Sequence, residues 1–90
     1  MINFELLFKN ETVEEIITFF AGYTKSIGYP TLDRCFVRYR FSAIETGEFM
    51  NTFHVLCEKE VISLNDKMGL IKGPKWQPPA FETQKKYGIE

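Results

Sequence analysis

Histidine and cysteine, two residue types often used in catalysis, occur near each other once in this 90-residue sequence. His54 and Cys57 are three residues apart, so a helix would place them on neighbouring turns. A Cys–His nucleophile would also need a positioned partner and a substrate pocket. His54 is the only histidine. We therefore expect His54 to be structural or exposed, Cys57 to belong to an apolar stripe, and the protein not to be an enzyme.

The sequence offers no spacing typical of a metal or phosphate site. One histidine and two distant cysteines, Cys35 and Cys57, make neither the paired cysteines nor the paired histidines of a zinc site. The six glycines are scattered rather than gathered into a phosphate-binding loop. We expect no metal and no cofactor.

Basic side chains are the residues whose clustering best indicates a ligand. Arg34, Arg38 and Arg40 lie close together, and at least two of them project to the same side whether the segment is helix or strand. Guanidinium groups bind phosphates or the carboxylates of a partner. Ion pairing with nearby acids on a solvated surface is the structural alternative, and it is the commoner one.

The overall charge weakens a nucleic-acid interpretation without excluding it. The net charge is −1 and the pI about 5.8, whereas dedicated nucleic-acid binders are usually basic. Acids concentrate near the start and lysines near the end, so the local potential can differ from the sum. The two cysteines and the absence of an apolar run of signal-peptide or transmembrane length predict a cytoplasmic protein with reduced thiols and no membrane contact.

Two elements precede the arginines. Residues 2–8 alternate apolar and polar, which suits a half-buried strand, although a short helical segment is also possible. Thr12 and Glu15 fit a capping box, and apolar residues then recur at helical spacing to about Ser26. Gly28 and Pro30 are expected to end this helix.

The segment 31–41 fits both a strand and a helix, because periodicity does not decide over so short a span. Ser42 and Glu45 resemble a second capping box, Thr46 is a competing N-cap, and a helix is expected from about 46 to 59. A β-hairpin follows, with strands at 61–64 and 69–72. We divide the chain into one compact domain, 1–76, and a proline-containing tail, 77–90, loosely held unless Phe81 or Tyr87 packs back.

The segment 42–72 resembles the end of a winged-helix domain. A Ser/Thr-capped helix carries "FMNTFHVLCEKE", "VISL" runs outward, "NDKMG" turns and "LIKG" returns. The resemblance covers about residues 12–73 and implies an α+β fold with three helices and a C-terminal hairpin. The alternative fold is a two-layer α+β sandwich with strands at 2–8 and 34–41.

Two functions compete. The first is a non-enzymatic regulatory protein that binds DNA through a basic wing and an arginine cluster, with Asn51 and Thr52 probing the groove, and that pairs as a homodimer. The contact residues would be Arg34, Arg38, Arg40, Asn51, Thr52, Lys67, Lys72 and Lys75. The second is a protein-interaction module, such as an immunity protein or inhibitor that neutralises a toxin or enzyme. Trp76 either covers the core or forms part of the contact surface at the wing, and we favour the core.

Overall fold

The structure is a computed structural model that describes residues 1–23 and 27–89. It is a mixed α+β fold in which helices surround a small antiparallel sheet. The α-helices of the described residues are α1 (Phe4–Asn10), α2 (Val13–Tyr23), α3 (Tyr29–Tyr39), α4 (Phe41–Glu45), α5 (Glu48–Glu58) and α6 (Ala80–Thr83). The strands are β1 (Ile27–Gly28), β2 (Ile62–Leu64) and β3 (Gly69–Lys72), and a 3-10 helix spans Lys86–Gly88.

Of the two interpretations of residues 2–8, the strand is wrong and the short helix is correct, because residues 4–8 belong to α1. Asn3 caps the helix, with its Oδ1 accepting a hydrogen bond from the Leu6 backbone N–H at 3.1 Å. Leu7 and Phe8 are both fully buried while Leu6 is 44% exposed, which is a helical rather than an alternating pattern. Asn3, a residue type favoured at the N-cap, was the sequence signal for this helix, but the apolar–polar alternation pointed to a strand instead.

Helix α2 begins as the Thr12–Glu15 pair predicts. The Thr12 Oγ1 accepts from the Glu15 N–H at 3.1 Å and donates to Glu15 Oε1 at 3.1 Å. Every residue from Ile16 to Ala21 is buried, so α2 is the central helix, covered on all sides. Its predicted end at Ser26 lies outside the described residues.

Residues 31–39 are helical, and Arg40 separates α3 from α4. This overturns the sandwich alternative with a strand at 34–41. Helix α3 starts earlier than expected, with Pro30 in its first turn, where a missing N–H costs no hydrogen bond. Pro30 therefore opens α3 rather than closing α2. Strand β1 immediately precedes α3, and sequence analysis missed it because two residues carry no periodicity.

The second predicted capping box is also wrong. Ser42 lies inside the short helix α4, and α5 starts at Glu48 after Gly47. Gly47 has a φ of 80°, a left-handed conformation that glycine adopts without a steric cost. Phe49, Phe53 and Leu56 of α5 are buried against the core, so this helix was predicted correctly apart from its start.

The predicted hairpin is present as β2 and β3, and β1 completes a sheet of order β1-β3-β2. Leu70 of β3 pairs with Ile27 of β1 and Leu64 of β2. The Oδ1 of Asn65 accepts from the backbone N–H groups of Lys67 and Gly69, at 2.9 and 2.8 Å, which fixes the turn.

The C-terminal segment packs back on the helices. Phe81 of α6 is 2% exposed, and its ring centroid lies 5.3 Å from that of Phe19. The backbone N–H of Asn3 donates to the backbone carbonyl oxygen of Tyr87 at 2.7 Å. Phe81 therefore packs back on the domain, which is one of the two contacts expected to hold residues 77–90 in place. Within residues 1–23 and 27–89, no helix has the length and apolar character needed to cross a membrane.

Candidate interaction surfaces

The three arginines of the predicted cluster do not form one exposed contact surface. Arg34 and Arg38 are exposed and stand one turn apart on α3. The Arg40 Nη1 instead donates to two backbone carbonyl oxygens at the C-terminal end of α1, that of Phe8 at 2.9 Å and that of Glu11. These carbonyls have no partner within their own helix, so Arg40 caps α1 rather than facing a ligand.

The two remaining guanidinium groups line a shallow cleft, which we call the arginine groove. Its volume is about 280 Å³. It is lined by Phe4, Phe20, Thr31, Arg34, Cys35, Arg38 and Tyr39. Among the described residues, neither guanidinium lies within 4.0 Å of a carboxylate. A second cleft adjoins it and is lined by both Glu5 and Arg38, so one carboxylate shares this surface with the arginines.

The lysines predicted for the wing are spread along the hairpin, and two of them have intramolecular partners. Lys67 lies exposed in the turn. The Lys72 ammonium at the far end of β3 lies 4.3 Å from the centroid of the Trp76 ring, a cation–π contact. The Lys75 ammonium lies 3.4 Å from Glu60 Oε2. They do not form one positive patch.

Trp76 anchors the hairpin to α2. Its Nε1 donates to the Thr18 backbone oxygen at 2.7 Å, and a Cβ built on Gly22 would overlap the indole ring. The ring is half-buried. Its main role in the structure is therefore packing, while its outer face holds Lys72.

The exposed side of α5 carries little positive charge. Asn51 is exposed and Thr52 is half-buried. The helix Glu48–Glu58 contains two glutamates and neither lysine nor arginine. His54 Nε2 lies 2.9 Å from Glu58 Oε1, an exposed pair one turn apart. This face is a poor electrostatic match for a phosphate-lined groove.

An apolar cleft lies between α5 and the hairpin, and sequence analysis did not predict it. We call it the α5–hairpin groove, and its volume is about 250 Å³. It is lined by Tyr29, Met50, Phe53, His54, Cys57, Leu64 and Met68. Met50 is 65% exposed and Met68 is 55% exposed, so two flexible apolar side chains stand in solvent at its edges.

Three acidic residues stand around this groove. Glu58 lies beside His54 on α5, Asp33 is close enough to Tyr29 to help raise the pKa of its hydroxyl, and Asp66 lies in the turn between Leu64 and Met68. Burial is the larger cause of that raised pKa. Lys67 is the one basic neighbour in the turn. Lys59 follows Glu58 at the end of α5. The three acids and two lysines that neighbour the lining residues therefore leave a small negative balance.

The cysteines are both free and half-buried, one in each groove. Burial raises the pKa of the Cys57 thiol, and burial outweighs the opposing effect of Arg38 to raise that of Cys35. Both are therefore held as thiols at neutral pH. Within the described part of the chain, His, Cys, Asp and Glu side chains form no group that could hold a metal ion.

Comparisons of the chain with protein-family models, curated proteins and solved structures find no match.

Proposed function

We propose that this protein is a non-enzymatic protein-interaction module, of the inhibitor or immunity-protein kind, that binds a partner polypeptide. The α5–hairpin groove carries the proposal. Exposed Met50 and Met68 flank an apolar floor, and an apolar cleft with a polar rim is typical of a protein contact. Flexible methionines suit such a surface because they repack around a bound side chain.

The positions of the basic residues support a polypeptide over DNA as the ligand. Arg40 is engaged with the carbonyl groups of α1, Lys72 with Trp76, and Lys75 with Glu60. Salt-dependent binding to phosphates needs several cations on one face. The helix that would enter the major groove is acidic instead.

DNA binding is the second candidate, and one observation favours it. Apart from the short helix α4 between α3 and α5, the succession α2, β1, α3, α5, β2, β3, with a sheet of order β1-β3-β2, supports the winged-helix interpretation. In that arrangement α5 would be the recognition helix and the β2–β3 hairpin the wing. A homodimer on DNA stays a prediction. Fold alone does not assign a ligand, since one fold serves several functions.

Two measurements separate the candidates. In fluorescence anisotropy at low salt, we expect the protein to leave a labelled random-sequence duplex unbound over the range of about 1–100 µM typical of non-specific binding. Immobilised protein should retain a stoichiometric partner protein from nuclease-treated lysate of the source cells. Saturable duplex binding that the double variant Lys67→Glu, Arg34→Glu abolishes would overturn the proposal. Both side chains are exposed, so these substitutions spare the core.

A further inference from the structure

The α5–hairpin groove has a chemistry that selects among polypeptides, and this inference rests on the protein-interaction function proposed above. We propose that its occupant is a partner segment in which an apolar side chain is flanked by lysine or arginine. The apolar side chain fills the groove between Met50 and Met68. The basic groups meet the acidic rim formed by Asp33, Glu58 and Asp66.

The size and lining of the groove fit one inserted side chain. A dry cavity of about 150 Å³ is large enough for a benzene ring, and this groove measures about 250 Å³. Phe53 and Leu64 form apolar walls, and the Cys57 thiol is uncharged because burial raises its pKa. Inserting a charged head group here would cost desolvation without a fixed counter-charge, so the contact inside the groove is apolar.

The rim determines the sign of the partner's flanking charges. Glu58 is on the outer side of α5 and its side chain is 66% exposed, so it is available to a ligand despite its contact with His54. Asp33 and Asp66 approach from α3 and from the hairpin turn. Lys67 and Lys59 are the opposing charges, so three carboxylates face two ammonium groups and the balance stays negative. Charge complementarity then favours a cationic segment over an acidic one.

The arginine groove was the main competitor for this proposal. Its two guanidinium groups would suit a carboxylate next to an aromatic side chain, but Glu5 lines the adjoining cleft together with Arg38 and would repel such a carboxylate. The two clefts share no lining residue. Binding at one is therefore distinguishable from binding at the other.

The methionines of the chain make the test specific. There are three, and methyl labelling with ¹³C gives Met50 and Met68 as reporters of the α5–hairpin groove. Met1 lines the cleft that adjoins the arginine groove and therefore reports on binding near Arg38. The probes are an amphipathic leucine–lysine peptide, the matched peptide with every lysine replaced by glutamate, and a short DNA duplex.

We expect the leucine–lysine peptide to shift the Met50 and Met68 methyl resonances saturably and to leave Met1 unchanged. The leucine–glutamate peptide should bind at least about fivefold more weakly, and added salt should narrow that difference. Equal affinity for the two peptides would overturn the charge assignment. If the methyl resonances of Met50 and Met68 did not shift, or if only that of Met1 shifted, the peptide would not bind in the α5–hairpin groove and the proposed site would be wrong.

Matched variants complete the test. Met50→Gln and Met68→Asn should each weaken binding of the leucine–lysine peptide severalfold. Asparagine suits position 68 because Met68 has a φ of 62°. Val37→Gln is the control, since it removes an exposed apolar side chain outside both grooves and should leave the affinity unchanged. Retention of a partner protein by the Met50→Gln, Met68→Asn variant would end this inference alone, whereas duplex binding would end the proposed function.

Discussion

The indole N–H of Trp76 donates a hydrogen bond to the backbone oxygen of Thr18 at 2.7 Å. This bond joins the end of the hairpin to the central helix across most of the sequence. The neighbouring Gly22 leaves the space in which the ring lies.

Replacing Trp76 with Phe should therefore loosen the hairpin from α2. The loss of one hydrogen bond and part of the buried ring predicts a fall in the free energy of unfolding of about 1–2 kcal/mol. Urea denaturation followed by circular dichroism measures it. An unchanged midpoint of urea denaturation would show that the indole contact does not stabilise the fold.

Gly22→Ala tests the same contact from the helix side. Alanine improves helix propensity by up to about 1 kcal/mol, but its Cβ would overlap the indole, so we expect the variant to be less stable than the parent. In a Trp76→Ala background the overlap disappears, and the same substitution should become neutral or stabilising. Additive effects in this double-mutant cycle would contradict the interpretation.

Arg40 should matter for stability, unlike the arginines beside it in the sequence. Arg40→Ala leaves the carbonyl groups of Phe8 and Glu11 without their charged donor, and we expect a loss of about 1.5–3 kcal/mol. Arg34→Ala is the matched control, because Arg34 is exposed, and should change stability by less than about 0.5 kcal/mol. Similar losses for both variants in urea denaturation would argue against the capping role.

The bond between Tyr87 and Glu11 should make stability depend on alkaline pH. The Tyr87 hydroxyl donates to Glu11 Oε2, and this hydrogen bond is the main cause that raises the pKa of Tyr87 above its ordinary value of 10.0. Because the folded pKa is the higher one, the contribution is complete below pH about 10 and is lost as the pH rises through the folded pKa.

Tyr87→Phe is the variant that isolates this effect. The difference in unfolding free energy between parent and variant should be about 1 kcal/mol and constant at neutral pH, and it should shrink above pH about 10. Denaturation curves measured across that range provide the check. A difference that persists unchanged at high pH would mean that Tyr87 stabilises by packing alone.

Local chemistry made some elements predictable from sequence and left others hidden. Thr12 and Glu15 are a short-range pair, so the start of α2 was readable before any tertiary contact was known. For Pro30 the residue type alone did not say whether it ends one helix or begins the next. Strand β1 exists only through its pairing with β3, a contact across some forty residues.

The candidate sites likewise depend on tertiary contacts that local sequence does not predict. Sequence position grouped Arg40 with Arg34 and Arg38, but the folded chain directs Arg40 to α1, which no local pattern encodes. The α5–hairpin groove needs Met50 and Met68 to meet from separate elements. The one available signal was Met50 itself, an apolar residue on the polar side of α5.

The hydrogen bond between Asn3 and Tyr87 has a practical consequence for handling this chain. Residues 1–3 and 87–88 lie side by side, so a short peptide linker between these two segments could close the backbone into a ring. The ends share no lining residue with the α5–hairpin groove. A circular permutant joined there would leave the lining of the α5–hairpin groove unchanged.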